Sequence, residues 1–353
     1  MKLQIKEVQN SQLISPRSEF TIPVVVHVVW NRTEENISDQ RILDQIEILN
    51  RDFNGENIDL NNVPKEFLSN ISDRGIRFCL SSQDPLGSPS TGIVRVQTDV
   101  KLIGIKDELH FSELGGNDAW NTKKYLNIWV ADTGSHVTGY GTFPDQVDEL
   151  KQGVVVNSKY FGNNSSNQYN LGRVVVHEIG HFLGLNHLWD GNSNCDSDDG
   201  VSDTPSQQHG YGDCPTYPQE SCGTSDMFMN FMDYVDDGCM VMFTKGQMER
   251  MISTLVTFRG GLINTTTSCI QGSIAGLKNE FLIYPNPAQD RMIINFTDTI
   301  AETGIVFIYN NMGQIVYENS MILRNNMEVD LSFLDTGIYL VKIGLSGKKL
   351  IIR

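Results

Sequence analysis

Three histidines and one glutamate form the strongest chemical signal in the sequence, within the segment HEIGHFLGLNH (177–187). In a helix, residues i and i+4 lie on the same face, so His177 and His181 can direct two imidazoles at one ion. Glu178 lies about 100° around the helix and can reach a water molecule there without binding the metal. Gly184 lets the chain leave the helical conformation one turn after His181, and this brings His187 back as a third ligand.

These residue types predict a catalytic zinc site. Three protein nitrogens leave a fourth position for water, and zinc lowers the pKa of that water to about 7 and polarises the scissile carbonyl. Glu178 would take the proton from the water and pass it to the leaving amine. The alternative is a surface helix with incidental histidines. The sequence therefore predicts a zinc-dependent metalloendopeptidase that hydrolyses peptide bonds in proteins, with a zinc-bound water activated by Glu178.

The segments around the motif predict the elements that must position it. The motif helix is expected over about residues 170–186, and an amphipathic helix over about 38–53 with Ser38 as its N-cap. A further helix is expected after Thr244, which is a suitable N-cap. Strands are predicted from β-branched or alternating runs at 22–30, 76–80, 93–96, 126–130 and 153–156. This mixture is typical of an α+β domain.

Length, composition and charge narrow the class of protein. The chain has 353 residues, which suggests two or three domains, and its formal net charge is −16. This charge disfavours nucleic acid and anionic membranes as partners, since both need clustered lysine and arginine. No apolar run is long enough for a transmembrane segment. Residues 1–20 lack the apolar core of a signal peptide and are interpreted as a leader or the remnant of a pro-segment.

Six cysteines favour an oxidising compartment outside the cell. Four of them lie in a region rich in Gly, Asp, Ser and Pro, and the chain contains no C-x-x-C pair. An even number of cysteines crowded into a loop favours disulfides over free thiols or a structural zinc site. The sequence allows three pairings of these four cysteines. Cys79 and Cys269 remain, and whether they pair with each other is left open.

A larger pattern surrounds the zinc motif. The histidine motif followed by a methionine turn, here NFMDY (230–234), is typical of metzincin proteases. With IPVVVHVVW (22–30), GYGTFP (139–144), DGVSDTP (199–205) and NFMDYVDDGCM (230–240), the chain resembles the pappalysin family of the ulilysin kind. The resemblance implies a metzincin domain over residues 21–262, with a twisted five-stranded mixed sheet and two main helices.

The resemblance also implies roles for single residues. Met232 would lie beneath the zinc in the Met-turn, and Tyr234 would help to stabilise the oxyanion, with simple core packing as the alternative. The segment 139–144 would lie along the upper rim of the cleft, where an exposed strand edge can hold an extended substrate. Asp236 and Asp237 would face the pocket for the residue after the scissile bond and favour Arg or Lys there. A surface turn is the alternative for these two aspartates.

The resemblance further concerns the long loop between the zinc motif and the Met-turn. It suggests two disulfides, Cys195–Cys222 and Cys214–Cys239. It also implies a structural calcium ion with Asp199 and Thr204 among its ligands. The loop is rich in the hard oxygen ligands that calcium uses, at Asp196, Asp198, Asp199, Asp203 and Thr204. A solvated acidic turn without an ion is the alternative.

A second domain is predicted at the C-terminus. Residues 263–278 are interpreted as a linker, and 279–353 contain short strand-length runs separated by turns, which is typical of a small β-sandwich. YPNP (284–287), the MGQ turn and TGIY (336–339) resemble the sorting domain of type IX secretion. The resemblance implies a secreted or cell-surface protein with the type IX secretion machinery as a partner. The alternative is a β-sandwich that binds substrate or carbohydrate.

Two rival functions differ in class from a protease. A catalytically silent binding or adhesion protein would have lost Glu178 or a zinc histidine, and none is lost. A zinc enzyme acting on a non-peptide amide or ester is the second rival, and the methionine turn counts against it. Among the remaining histidines, His27 is assigned to the core of a buried strand. No role is assigned to His110, His136 and His209.

Overall fold

The computed structural model divides the chain into two units, Met1–Cys269 and Ile270–Arg353. It describes residues 20–72, 75–144, 149–164, 168–189, 195–196, 198–263, 269, 281–296, 302–310, 315–323, 325–343 and 346–353. Apart from Phe20, the predicted leader lies outside the described residues. The predicted linker also lies outside them, apart from Ile263 and Cys269.

The described part of the first unit combines one mixed sheet with α-helices and short 3-10 turns. The strands are β1 (Phe20–Trp30), β2 (Ile76–Leu80), β3 (Ile93–Gln97), β4 (Leu126–Ala131), β5 (Gly139–Gly141) and β6 (Val154–Asn157). The α-helices are α1 (Asp39–Asp52), α2 (Arg173–Phe182) and α3 (Lys245–Phe258). This is the α+β architecture that the sequence predicted.

The sheet follows the order β2-β1-β4-β6-β5, and β3 pairs with the second half of β1. The five-stranded mixed sheet is thus confirmed, with β3 as an additional strand. β1 is buried along nearly its whole length, because residues 22–29 face a layer on each side of the sheet. β5 is the antiparallel strand at the edge, and it pairs with β6. Its outer side faces the cleft described below.

Helices α1 and α3 begin at residues whose side chains accept backbone hydrogen bonds. Ser38 Oγ accepts from Arg41 N at 3.3 Å and caps α1. Thr244 and Gln247 form a reciprocal capping box at the start of α3, as the sequence predicted for Thr244. α1 packs against β2 and α2, whereas α2 packs against β5 and β6. The zinc motif therefore lies directly beneath the edge of the sheet.

Helix α2 is shorter than the predicted range of 170–186. It begins after Gly172, whose φ of 72° is left-handed and therefore not helical. Gly184, with a φ of 88°, turns the chain after the helix, and Leu185 N donates to Gly180 O at 2.9 Å. The turn at Gly184 is the one that the sequence predicted. The late start follows from a cap supplied by Asp237, a residue too distant in sequence for local patterns to reveal.

Three disulfides join all six cysteines of the first unit. They are Cys79–Cys269, Cys195–Cys222 and Cys214–Cys239. The second lies within the long loop and spans 27 residues, whereas the third has a sequence separation of 25 and ties the loop to the segment that follows the Met-turn. Each closed loop removes conformational freedom from the unfolded chain, so we expect all three to stabilise the unit.

The second unit is all-β in its described residues, as predicted. Its antiparallel strands are β7 (Phe281–Tyr284), β8 (Arg291–Phe296), β9 (Glu302–Tyr309), β10 (Ile315–Leu323), β11 (Met327–Asp330), β12 (Gly337–Ile343) and β13 (Ser346–Ile352). They form a sheet in the order β10-β9-β12-β13 and another in the order β11-β8-β7. Inward side chains of both sheets, including Phe281, Ile294 and Val341, build one apolar core. Among the helices described, none has the length and apolar character needed to cross a membrane.

Candidate active site

The three motif histidines converge on one point. His177 and His181 lie one turn apart on α2, and His187 follows the turn at Gly184. The Nε2 atom of His187 is 3.2 Å from Nε2 of His177 and 3.1 Å from Nε2 of His181. Among the described residues, these three form a group whose ligand atoms all lie within 4.8 Å of one another. Such spacing suits three nitrogens around one ion.

Backbone carbonyls orient two of these rings. Nδ1 of His177 lies 2.7 Å from Phe231 O, and Nδ1 of His181 lies 2.8 Å from Leu185 O. A carbonyl oxygen only accepts, so each Nδ1 carries the hydrogen and each Nε2 keeps a free lone pair. Burial lowers the pKa of all three histidines, and for His187 burial and the nearby His181 lower it to about 3. Neutral imidazoles with free lone pairs are the form that binds zinc, so the donor set fits the metal.

Glu178 lies under the edge strand of the sheet. Its side chain is buried, and burial raises the pKa of Glu178 to about 8, while a hydrogen bond from Gly141 N opposes that rise. A cation held by the histidines would lower this pKa again, because it favours the charged carboxylate. Gly139 and Gly141 both face Glu178, so the strand presents no side chain on this side. The absence of side chains leaves room for the carboxylate beside the histidines.

The Met-turn lies directly below the histidines. Met232 is fully buried, and its sulfur lies 2.5 Å from the position that a Cβ on Gly180 would occupy, so it packs closely against α2. The turn is held by Met232 N, which donates to Asn230 Oδ1 at 2.9 Å. Tyr234 is 49% exposed, and its ring centroid lies 4.7 Å from that of His187. The structure therefore places Met232 in the core and Tyr234 at the surface of the cleft.

Two further aromatic residues lie near the histidines, and the sequence assigned neither of them an individual role there. Trp189 stacks on His187 with a centroid distance of 4.7 Å and an interplanar angle of 8°, and it contacts Tyr234 edge-on. Phe143 lies 5.4 Å from His181 between ring centroids. Trp189 follows His187 by two residues, but nothing in a single sequence indicates that the two rings stack. This contact restrains a ring whose nitrogens have no carbonyl partner among the described residues.

A cleft of about 530 Å³ contains the histidines. β5 and the segment before it form one wall, including His136, to which the sequence assigned no role. The opposite side and floor are formed by Tyr169, Val174, His177, Glu178, Tyr234 and Met240. A cleft that runs beside an open strand edge can accommodate a peptide in extended conformation. The segment 139–144 was predicted at the upper rim of the cleft. Its residues Gly139–Gly141 form β5 at this edge, and Phe143 and Pro144 continue beyond the end of the strand.

The two predicted specificity residues lie behind the cleft wall and do not line it. Asp237 is fully buried, and its Oδ2 accepts from Leu171 N at 2.8 Å and from Arg173 N at 3.1 Å, which caps α2. Its Oδ1 has no hydrogen-bond partner among the described residues, and burial raises the pKa of Asp237 to about 6. Asp236 is partly buried, and its Oδ1 likewise lacks a described partner.

The predicted calcium residues Asp199 and Thr204 lie together in the long loop. Asp199 Oδ1 accepts from Thr204 Oγ1 at 2.8 Å and from Val201 N at 2.9 Å. Its Oδ2 is buried without a described partner, and burial raises the pKa of Asp199 to about 6. Asp203, by contrast, accepts from Thr244 Oγ1 and thereby supports the start of α3. The unpartnered oxygen of Asp199 is the feature that fits a bound cation.

Two family models match the chain. The peptidase family described as pregnancy-associated plasma protein-A matches residues 112–256, and the secretion system C-terminal sorting domain matches residues 282–353. An extracellular metalloprotease 1 from Coccidioides posadasii is 31% identical over 255 residues, which cover 69% of this chain and 80% of the relative. An extracellular metalloprotease from Arthroderma gypseum is 29% identical over 269 residues, covering 74% and 80%.

Solved structures of one protease from Tannerella forsythia are also similar. Mature mirolysin in complex with a cleaved peptide is 40% identical, with a TM-score of 0.66, and the match covers 71% of this chain and all of that one. A promirolysin mutant is 38% identical, with a TM-score of 0.67, and the match covers 74% of this chain and 96% of that one.

Proposed function

The chain belongs to the pappalysin family of metzincins and is a secreted zinc metalloendopeptidase, in which we propose that His177, His181 and His187 hold the zinc and Glu178 is the general base. The observation that carries this assignment is the position of Glu178, a buried carboxylate directly beside three converging neutral imidazoles. A buried carboxylate without a cation partner is costly, which is the situation expected of a group positioned for proton transfer.

The side chains of the cleft have distinct tasks in hydrolysis. Bound zinc supplies a Lewis acid that activates water and polarises the scissile carbonyl. Glu178 takes a proton from the attacking water and transfers it to the nitrogen of the leaving amine as the C–N bond breaks. The hydroxyl of Tyr234, at the surface of the cleft beside His187, donates a hydrogen bond to the oxyanion. Met232 supports α2 from below and does not touch the substrate.

Strand β5 holds the substrate. It lies at the edge of the sheet, and an extended peptide can add to such an edge through backbone hydrogen bonds. Gly139 and Gly141 let the peptide and Glu178 approach each other, because neither glycine has a side chain on the cleft side. This arrangement is independent of the substrate's side chains and therefore suits a protease that acts on many proteins.

We further propose a preference for Arg or Lys after the scissile bond, determined by Asp237 with Asp236. Asp237 lies behind the cleft wall and bonds to residues next to it in sequence: its backbone N donates to Gln168 O and its carboxylate accepts from Arg173 N, and the adjacent Tyr169 and Val174 line the cleft. The unpartnered Oδ1 of Asp237 would gain a partner from a basic side chain. Asp237→Asn should reduce the ratio of Arg to Met at the position after the scissile bond in mapped cut sites. Asp236→Asn distinguishes the two carboxylates, and an unchanged ratio in both variants would contradict the proposal.

We propose a structural calcium ion at Asp199. Its buried Oδ2 lacks a described partner, and a cation would compensate the charge that burial makes costly. The hydroxyl of Thr204 is the neighbouring oxygen that could join it. Such an ion would tie the long loop to the domain beside the two loop disulfides.

The domain boundaries 21–262 for the protease, 263–278 for the linker and 279–353 for the sorting domain remain our proposal. Because the C-terminal match is to a secretion sorting domain, we also propose the type IX secretion machinery as the partner of this domain. Deleting residues 279–353 should then leave the protein inside a host that carries this machinery. Secretion of the truncated chain at the normal level would contradict the proposal.

The decisive experiment compares wild type with Glu178→Gln on casein and on a mixed peptide library. Zinc content is measured by mass spectrometry, and each protein is assayed with and without a chelator. Wild type should cut, the variant should retain zinc and lose about 100- to 10,000-fold in rate, and the chelator should abolish cutting. Glu113→Gln, at an exposed position away from the cleft, is the matched control. A zinc-loaded Glu178→Gln variant that cuts at the wild-type rate would refute the assignment.

A further inference from the structure

A second cavity of about 250 Å³ lies along β5, beside the zinc cleft. Tyr140 and Gly141 line both cavities. Gly139 and Gly141 face Glu178, whereas the ring of Tyr140 packs on the opposite face of the sheet with Trp129 and its neighbours. The second cavity extends from this face towards Phe143, beyond the end of the strand. The two cavities therefore accompany successive parts of the same strand edge.

A buried histidine with one ring nitrogen that has no described hydrogen-bond partner lies in this cavity. His110 lines it, is 5% exposed, and packs edge-on against Trp129 at a centroid distance of 4.5 Å. Its Nδ1 has no partner among the described residues. Burial lowers the pKa of His110 to about 4, so the ring is neutral at pH 7 and offers one N–H and one lone pair. A buried polar nitrogen left unpaired costs free energy, so a ligand atom that pairs with it binds favourably.

Among the described residues that line the cavity, the rim carries more positive than negative charge. Lys151 Nζ lies 2.8 Å from Asp107 Oδ1, and this pair leaves the ammonium two further N–H donors. Lys106 is exposed and makes no ion pair with any described residue. Within the described lining, two ammonium groups therefore face one carboxylate, in a chain whose formal net charge is −16. This local excess of positive charge is complementary to a carboxylate ligand.

We propose that this cavity is a substrate subsite that binds an Asp or Glu side chain of the peptide, with Lys106 and Lys151 as the charge partners and His110 as the hydrogen-bonding group at its base. The inference rests on the proposed endopeptidase function. A peptide paired with β5 alternates its side chains between the two faces of the sheet, so some of them leave the zinc side and point towards the cavity. From Gly139–Gly141 to Phe143 is two to four residues, or about 7–13 Å of extended chain. The acidic residue is therefore expected two to four positions from the scissile bond.

The test uses a quenched fluorescent peptide that wild type cuts. Each residue two to four positions from the scissile bond, on either side, is replaced in turn by Glu and by Gln. The readout is the ratio of kcat/KM for the Glu peptide to that for the Gln peptide. We expect a ratio of about five at one position for wild type, and a ratio near one for Lys106→Met and Lys151→Met. Lys123→Met is the matched control, because Lys123 pairs with Glu149 on the surface and lines neither cavity.

A charge reversal provides an independent check that does not depend on a loss. Lys106 is exposed, and the Lys106→Glu variant should favour Lys over Glu at the same position of the substrate. A ratio near one at every position for wild type, with the parent peptide still cut, would overturn the subsite and leave the endopeptidase assignment intact. A ratio that persists in the Lys106→Met, Lys151→Met double variant would also overturn it. If zinc-loaded wild type cuts no peptide, the proposed function fails and the subsite fails with it.

Discussion

Replacing Gly139 by alanine is expected to slow the chemical step while leaving the zinc in place. A Cβ at this position would lie 3.0 Å from Glu178 Cγ, 3.2 Å from Glu178 Oε1 and 2.9 Å from Val155 O. The last contact is with the backbone of β6 and cannot be relieved by a rotamer change. The strand, the carboxylate or both must therefore move by a few tenths of an ångström.

The size of the effect follows from how steeply proton transfer depends on position. A misplacement of about 1 Å costs roughly 100-fold in rate, so a shift of a few tenths of an ångström should cost about three- to tenfold in kcat. The three atoms nearest to this Cβ position belong to Val155 and Glu178 and not to a zinc histidine, so zinc content should remain one ion per chain by mass spectrometry. KM should change less than kcat, because the glycine's backbone groups remain available to the substrate.

Gly238→Ala is the matched control for this prediction. Gly238 lies near the Met-turn in sequence, has no positive φ, and a Cβ there would meet no atom within 4 Å. It should fold and cut as wild type does. The reasoning is refuted if Gly139→Ala retains kcat within twofold of wild type with the same zinc content. It is equally refuted if Gly238→Ala loses as much activity as Gly139→Ala.

Three other perturbations have defined outcomes. Tyr234→Phe should lower kcat by about 10- to 100-fold with zinc retained, because one oxyanion donor is lost; an unchanged kcat would assign Tyr234 to packing alone. Burial raises the pKa of Asp237 to about 6, above its unfolded value near 3.9, so this group makes the unfolding free energy fall as pH rises from about 4 to about 6. As the pH rises from 4 to 8, the unfolding free energy of Asp237→Asn should therefore gain up to roughly 3 kcal/mol relative to that of wild type in urea denaturation. Unfolding free energies of the two proteins that change in parallel with pH would contradict this. Calcium should raise the Tm of wild type by several degrees and that of Asp199→Asn by less, and equal shifts would place the ion elsewhere.

Much of the site was predictable because its key relations are local in sequence. The pairing of His177 with His181 follows from helical periodicity, and the return of His187 follows from the φ that Gly184 readily adopts. The strands β1, β2, β3, β4 and β6 were readable from β-branched or alternating runs, whereas the edge strand β5 at Gly139–Gly141 was expected only from the family resemblance. These inferences need only the neighbours of each residue along the chain.

The parts that could not be predicted depend on contacts between distant segments. The start of α2 depends on Asp237, which lies 64 residues after Arg173, so a helix pattern alone placed the start too early. The stacking of Trp189 on His187 depends on the path of the long loop, because the indole ring of Trp189 packs closely over Gly210 in that loop. The orphan nitrogen of His110 depends on burial against Trp129, which no spacing in the sequence indicates.

A three-residue strand combines the requirements of catalysis and of substrate binding. Gly139 and Gly141 must lack side chains because Glu178 lies directly beneath them, and two successive glycine positions on one face leave the strand weakly held. Tyr140 compensates on the other face, where its ring joins the apolar cluster and its hydroxyl donates to Gly104 O at 3.0 Å. The alternation Gly-Tyr-Gly therefore anchors the strand through Tyr140 on one face of the sheet and leaves space for Glu178 on the other face. The same tyrosine forms part of the wall of the second cavity, so the residue that anchors the strand also borders the subsite proposed for acidic side chains.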